Sequence, residues 1–385
     1  MKISDVKTFV VDGVTRPWTI VKVETDEGVV GWGDCTEWDA WPGVVSMVHH
    51  LKERVIGKDP MNGLRIWHEL ANYNIRQHGG LAWKAMAGID SALWDIRGKV
   101  LDAPVWQLLG GRVWDEIRVY WSHCGSFRFR ASERLQTPGV RTTDDLRSLA
   151  EEVKVRGFTA IKTNLMALDD LPDPGATTSA RLGNYATPEV IANAVGVVAA
   201  FREALGPDIG IALDIGHKFK LSGAIDIARA LEPYELMWLE VETWDAGALR
   251  TIRQSTSTRI CTGESLFGVE DYKPFLLEYA QDVIMPDLAW LGITIGKQVC
   301  DFAAGFDTFV APHNTHGPIC TLQSLHVAST TPNLMIMEID GDDAPWRDEI
   351  MTHPFEIVGG HVKVPDRPGL GSDLKEDLLK KHAWR

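Results

Sequence analysis

Six ionisable residues recur through the second half of the chain at nearly even steps of 23 to 26 residues: Asp214, Glu240, Glu264, Asp287, His313 and Glu338. Each follows a short, mostly apolar run, as in Ile-Ala-Leu-Asp214, Met-Trp-Leu-Glu240 and Val-Ala-Pro-His313. Three carboxylates brought together, Asp214, Glu240 and Glu264, would repel unless a hard cation lay between them. An all-oxygen donor set suits Mg²⁺ better than Zn²⁺, which favours His or Cys. Glu242 competes with Glu240 for the second ligand position. A carboxylate such as Asp287 can fix the tautomer of an imidazole and raise the basicity of its other nitrogen, which makes His313 a candidate general base. Lys162 ends an earlier apolar run and can act as a base or offset anionic charge. Glu338 can donate a hydrogen bond if protonated, or position a neighbour.

The step between these residues is about the length of one strand, one helix and two short loops. An ionisable group at the end of each successive strand predicts a (β/α) barrel with its site at the strands' C-terminal ends. Eight strands are expected, over residues 117–121, 158–162, 209–214, 236–240, 259–263, 283–286, 308–312 and 334–338. Helix-period stretches lie between them, such as 190–205 and 223–231. The polar, Pro- and Gly-bearing stretch 165–187 is expected to be a lid or an oligomer contact.

Ahead of the barrel, residues 1–34 alternate as a three-stranded antiparallel sheet with a Glu27-Gly28 hairpin turn. Residues 44–109 read as helices interrupted at Pro60 and Gly79-Gly80, with a stop at Gly110-Gly111. The loops 12–18 and 35–43 carry Arg and Trp residues suited to lining a pocket. After Glu338, residues 353–364 alternate like a strand pair. A closed barrel has no place for this tail, so it is expected to return to the N-terminal domain. The expected division is a capping part at 1–115, a barrel at 116–352 and a returning tail at 353–385.

A chain of 385 residues accommodates a barrel of ~250 residues plus a second domain. Its net charge is −14 and no Lys/Arg block occurs, which argues against nucleic acid and anionic membrane as partners. The N-terminus lacks the apolar core of a signal peptide, and the apolar stretch 190–201, broken by Asn193, is too short to span a bilayer. Five scattered cysteines without CxxC spacing read as reduced thiols of a cytoplasmic enzyme.

Specific motifs then add a resemblance. The runs from Ile20 to Asp34 (IVKVETDEGVVGWGD), from Gly88 to Lys99 (GIDSALWDIRGK), Leu108-Leu-Gly-Gly111 and Pro368-Gly-Leu-Gly371, with the barrel series, resemble the mandelate racemase subgroup of the enolase superfamily over essentially the whole chain. The resemblance implies an α/β protein, a modified TIM (β/α) barrel with an α+β capping domain formed by both termini. It implies Mg²⁺ on Asp214, Glu240 and Glu264, a His313–Asp287 dyad, and Glu338 beside the substrate carboxylate. Such sites pair a Lys or His base with Mg²⁺ on an ene-diolate.

Departures from the subgroup narrow this. Racemases of the subgroup carry Lys-x-Lys after the second strand, whereas this chain has Lys162-Thr163-Asn164. Without a second base on the opposite face racemisation is disfavoured, and Lys-x-Asn with Pro312-His-Asn-Thr-His-Gly-Pro318 is similar to the acid-sugar dehydratases. Two residues beyond Asp214, where relatives carry Asn or His, stand Gly216 and then His217. Either His217 or His313 could protonate a leaving hydroxyl. The expected activity is Mg²⁺-dependent dehydration of a sugar acid to a 2-keto-3-deoxy acid. An epimerase or cycloisomerase is the alternative, and a non-catalytic sugar-acid-binding protein a more distant one. Asn164, Arg16, Trp18, Trp38, Arg76, His78 and His123 are the candidate substrate contacts. A homo-oligomer is expected.

Overall fold

The computed structural model describes residues 1–175 and 185–385. Part of the expected lid, residues 176–184, lies outside the described residues. Strands β1 (Ile3–Asp12), β2 (Pro17–Thr25) and β3 (Val30–Asp34) form the expected antiparallel sheet. Helices α1 (Trp41–Val55), α2 (Gly63–Tyr73) and α3 (Gly80–Val100) follow. The small residues of α3 and β3 have a packing reason. A Cβ on Gly33 would lie 2.0 Å from the Gly88 carbonyl oxygen, and one on Gly31 would lie 2.1 Å from that of Ala92. Only glycine allows this helix so close to this strand.

The barrel strands are β4 (Glu116–Ser122), β5 (Ala160–Asn164), β6 (Gly210–Asp214), β7 (Trp238–Glu240), β8 (Ile260–Thr262), β9 (Val283–Ile284), β10 (Phe309–Val310) and β11 (Met337–Asp340). They pair in parallel in that order, and β11 pairs with β4. Closure between β10 and β11 comes from Met335 N–H donating to Val310 O (2.8 Å) and Glu338 N–H to Pro312 O (3.2 Å). Buried Tyr120, Ala160, Ala212, Trp238, Cys261, Val283 and Ala311 fill the interior, so the barrel is a packed core with its chemistry at one end. Helices α4 (Ser126–Leu135), α5 (Thr143–Val155), α6 (Pro188–Leu205), α7 (Leu221–Ala230), α8 (Ala246–Gln254), α9 (Gly268–Leu277), α10 (Leu288–Ala303) and α11 (Pro318–Ser329) lie between the strands. All five cysteines are buried and free. No helix among the described residues is long and apolar enough to cross a membrane.

The tail departs from expectation in its first half. Strands β12 (Ile357–Val358) and β13 (His361–Lys363) form a hairpin. This hairpin stays on the barrel, with β13 antiparallel to the start of β4. The early residues of β4 lie outside the pairing with β11, and the hairpin takes that open edge. Beyond it the chain returns to the capping part, where Leu370 N–H donates to Asp95 on α3 (2.8 Å). Helix α12 (Glu376–Lys381) then brings Glu376 to Lys22. Capping and barrel parts interlock elsewhere too: Asp90 accepts from Thr294 N–H (2.8 Å) and Oγ1–H (2.6 Å) on α10.

One buried imidazole makes the fold pH-sensitive away from the site. His326 on α11 is fully buried, and its Nδ1 accepts Trp106 N–H (3.2 Å). Burial holds its pKa down at about 4. The unfolded chain therefore takes up this proton first, near pH 6.5, and the folded chain only near 4. His326 costs no stability above about pH 6.5, and its penalty grows as the pH falls towards 4. Thermal melts of His326→Leu across this window are expected to show a flatter acid limb than wild type. Parallel limbs would refute the assignment.

Candidate active site

Asp214 closes β6. Its Oδ1 accepts Gly216 N–H (2.7 Å) and its Oδ2 accepts Asn164 Nδ2–H (2.9 Å). Gly216 has φ +49°, the left-handed conformation that lets the loop turn back on the carboxylate. Glu240 closes β7 and is 1% exposed. Its Oε2 accepts from Lys162 Nζ (2.9 Å), whereas Oε1 is buried without a hydrogen-bond partner. Burial, with Asp214, Glu264 and Glu338 nearby, pushes this carboxyl well above the usual range against the pull of Lys162. A bare buried carboxylate oxygen among other acids is a place that favours a cation. Glu264, just past β8, places Oε2 3.0 Å from His313 Nε2. Burial would raise its carboxyl, but His313 outweighs that and brings it down to about 2.

Glu242 is differently engaged. Its Oε1 accepts Gly263 N–H (2.7 Å) and Thr262 Oγ1–H (3.1 Å), and its Oε2 accepts Ser265 N–H (3.4 Å). It braces the loop that presents Glu264, and burial raises its carboxyl to about 8. A group that favours the neutral form at pH 7 should be replaceable by its neutral isostere. Glu242→Gln is therefore expected to need Mg²⁺ within about threefold of the wild-type concentration. Glu242→Ala, which removes the acceptors for three loop donors, should need at least about tenfold more. Titration of activity against Mg²⁺ separates the two, and equal behaviour would remove the bracing role.

Asp287 caps α10, with Oδ1 accepting Ala289 N–H (2.8 Å) and Trp290 N–H (3.1 Å). Its Oδ2 meets two imidazole nitrogens, His313 Nδ1 at 2.6 Å and His316 Nε2 at 2.7 Å. Burial would raise Asp287, but these imidazoles hold it well below the usual carboxylate range. Asp287, His313 and His316 also offer ligand atoms within 4.8 Å of one another, but hydrogen bonds among them already engage the shared oxygen. His313 is raised well above the usual imidazole range, because Glu264, Glu338 and Asp287 outweigh its burial.

Lys162 is 2% exposed and lies between Glu240 and Glu338, 2.9 and 2.6 Å from their oxygens. Burial opposes its charge, but Glu240 and Glu338 raise its pKa well above the usual lysine value. It therefore stays protonated. Glu338 accepts from Ser122 Oγ–H (2.5 Å) and Asn314 N–H (3.1 Å). Lys162 and His313 hold it below the ordinary range despite its burial. It is thus an ionised acceptor here, not a protonated donor.

The remaining candidates divide. Asn164 is not a free substrate contact. One end of its amide holds Asp214 and the other accepts Ser126 Oγ–H (2.8 Å), so it orients a carboxylate. His217 is half-buried, stacked 4.3 Å from Trp244, with Nε2 3.1 Å from Ser265 Oγ. Burial lowers its pKa, against Glu264 and Asp214. Arg16, Trp38 and His123 gather at the mouth. His123 stacks on Phe127 (4.1 Å), and Arg16 lies 4.0 Å from the Trp38 ring centre. Trp18 is packed in the core between Gly13 and Gly317. Arg76 is exposed, and His78 pairs with Asp271 on α9 (3.0 Å). None of these three hydrogen-bonds or ion-pairs with Asp214, Glu240, Glu264, Lys162 or His313 among the described residues. His316, Ser122 and Ser126 contact the site residues without having been singled out in the sequence. Of them only His316 left a signal, three residues after His313.

An α/β barrel with its ionisable groups gathered at the strands' C-terminal ends and a second domain over that end defines a barrel enzyme. The chain belongs to the enolase superfamily, in the mandelate racemase/muconate lactonizing enzyme group. The N-terminal domain model of that group matches residues 6–110, and the enolase C-terminal domain-like model matches residues 145–378. The chain is 31% identical to a D-xylonate dehydratase of Haloferax volcanii over 99% of its own length and 89% of the relative's. Among solved structures, a Burkholderia xenovorans protein provisionally assigned as an L-alanine-DL-glutamate epimerase, bound to magnesium and fumarate, superposes with TM-score 0.95. It is 34% identical over 99% of this chain and 96% of its own. A 3,6-anhydro-D-galactonate cycloisomerase of Zobellia galactanivorans superposes with TM-score 0.84, at 26% identity and full coverage of both chains.

Proposed function

We propose that this enzyme is a hydro-lyase that dehydrates a sugar acid to a 2-keto-3-deoxy acid. The observation that carries the reading is a one-sided proton-transfer apparatus. His313, oriented by Asp287, is one base. Lys162 is locked as a cation between two carboxylates, and the position of a second lysine is held by Asn164, itself bonded to Asp214. Racemisation needs a competent group on each face of the carbon, whereas elimination needs one base and a leaving group. The likeness to a D-xylonate dehydratase supports the same reading.

Asp214, Glu240 and Glu264 fit Mg²⁺: the donor set is all oxygen, and Glu240 Oε1 has no other partner. When bound there, Mg²⁺ supplies a Lewis acid for the substrate carboxylate. In this reading His313 would act as base once Glu264, the group that most raises it, were engaged by the metal; its Nε2 would then take the proton next to the carboxylate while Asp287 holds Nδ1. Lys162 offsets the negative charge that develops on the carboxylate carbon's oxygens. The C3–O bond then breaks. His313, protonated by that first step, returns the proton to the departing hydroxyl, and the enol tautomerises to the ketone. His217, depressed by burial, is the weaker donor.

The deciding experiment incubates the enzyme with Mg²⁺ and a panel of sugar acids and assays 2-keto product. Deuterium entering C2 from solvent without loss of water would favour an epimerase instead. A homo-oligomer belongs to the same reading. Leu64, Tyr73 and Ile75 are exposed on and just after α2, and sedimentation at several concentrations tests it.

A further inference from the structure

Arg16 is the one guanidinium that the capping part buries over the barrel mouth with its hydrogen-bonding capacity mostly open among the described residues. It is 1% exposed. Nη1 donates to Thr315 Oγ1 (2.5 Å), but Nε and Nη2 are buried with no partner. Those two nitrogens are the side-on fork of a guanidinium, whose parallel N–H bonds match the two oxygens of a carboxylate. The group is held rigid by more than Thr315. Its Cζ lies 4.0 Å from the Trp38 ring centre and 5.3 Å from that of Phe127.

Its charge is favoured by Asp340 and Glu338 only at a distance. No carboxylate oxygen among the described residues forms an ion pair with it. Glu338 is engaged by Lys162, Ser122 and Asn314, and Asp340 Oδ1 is 3.2 Å from His123 Nδ1. Burial lowers the Arg16 pKa to about 10 against the pull of Asp340 and Glu338, so burial outweighs the carboxylates around it. Sugar hydroxyls could satisfy the two donors, but they would not balance the charge.

The position of Arg16 completes the argument. Its neighbours come from the β10, β11 and β4 side of the mouth: Thr315 after β10, Asp340 on β11, and Phe127 after β4. Glu240 and Glu264 follow β7 and β8, across the ring in the strand order. A substrate carboxylate at the Mg²⁺ that Asp214, Glu240 and Glu264 would hold would therefore leave the far end of a short sugar chain towards Arg16. Behind Trp38 and Phe127 lies a cleft of about 550 Å³ lined by Arg130 and Arg141, by Arg134, which is paired with Asp12, and by Glu133.

We propose that Arg16 is the specificity-determining residue and that its open fork takes a second carboxylate, so that the preferred substrate is a dicarboxylic sugar acid. This rests on the dehydratase reading above. Its test compares kcat/KM for mono- and dicarboxylic sugar acids of equal chain length in wild type, Arg16→Gln and Arg16→Lys, with Mg²⁺ present. Wild type is expected to favour the di-acid by about 50-fold or more. In Arg16→Gln the ratio should collapse to within about threefold. Arg16→Lys, which keeps the charge but not the fork, should fall between. The ratio does not depend on how much of a variant folds, and the lysine variant reads it if the glutamine variant does not fold. A wild-type preference for mono-acids, or an equal loss for both classes in the variants, overturns the proposal while leaving dehydration intact. Wild type turning over neither class would overturn the dehydratase reading itself.

Discussion

His313→Asn is expected to abolish dehydration and, with it, exchange of the substrate's C2 hydrogen with solvent. Loss of a positioned general base costs about 10²–10⁴ in rate, and here the same group also returns the proton, so the upper end is expected. Asparagine can keep a hydrogen bond to Asp287, and His316 still donates to the same carboxylate oxygen. The dyad's anion is therefore not left bare, and the melting temperature should move little. The substitution also frees Glu264, whose Oε2 now faces His313 Nε2 at 3.0 Å, so Mg²⁺ should bind at least as tightly as in wild type. These readouts together distinguish a lost base from a collapsed site. A His313→Asn enzyme that no longer eliminates water but still exchanges C2 deuterium would place the base elsewhere.

Much of this site was legible in the sequence because its parts sit at strand ends. A barrel strand, its helix and their short loops fix where each new ionisable group emerges. Asp214, Glu240, Glu264, Asp287, His313 and Glu338 therefore converge as their spacing predicts. Side chains whose role depends on a partner were less legible. Asn164 looked like a substrate contact because the spacing says only that it faces the mouth, not that Ser126 and Asp214 would occupy both ends of its amide. Glu242 and Glu240 could not be separated by spacing alone. Their difference lies in which backbone N–H groups the next loop offers, and Glu242 meets those of Gly263 and Ser265.

The capping contacts were the hardest to place, because they depend on how two domains dock. Arg16, Trp38 and His123 reach the mouth. Trp18, inside β2, packs in the core against Gly13 and Gly317, whereas Arg16 precedes the strand, so strand alternation does not tie their directions. Arg76 and His78 sit beyond α2, where His78 pairs with Asp271 on α9. The tail shows the same limit. Alternation identified the hairpin at residues 353–364, but nothing local says that the open edge of β4 would receive it.

Lys162→Met is expected to be the most damaging single change to stability and also to abolish turnover. The lysine is the shared cation of Glu240 and Glu338, all three essentially inaccessible to solvent. Removing one partner of a buried ion pair typically costs about 3–5 kcal/mol, because the remaining charge is stranded. Glu338 is left as a buried anion and Glu240 loses its hydrogen-bond donor, so the upper end is expected in metal-free protein. Two further measurements identify the cause. Adding Glu338→Gln removes one stranded charge, and the double variant should be more stable than Lys162→Met alone. Adding Mg²⁺ should narrow the gap between Lys162→Met and wild type, because a cation beside Glu240 replaces part of what the ammonium supplied. If Mg²⁺ left that gap unchanged, Glu240 would not belong to the metal centre, even with the double-variant rescue intact. If the rescue failed instead, the damage would lie in lost packing of the lysine stem over Tyr120 (5.8 Å from the ammonium). The two outcomes therefore separate the lysine's charge from its bulk, and only the charge enters the proposed chemistry.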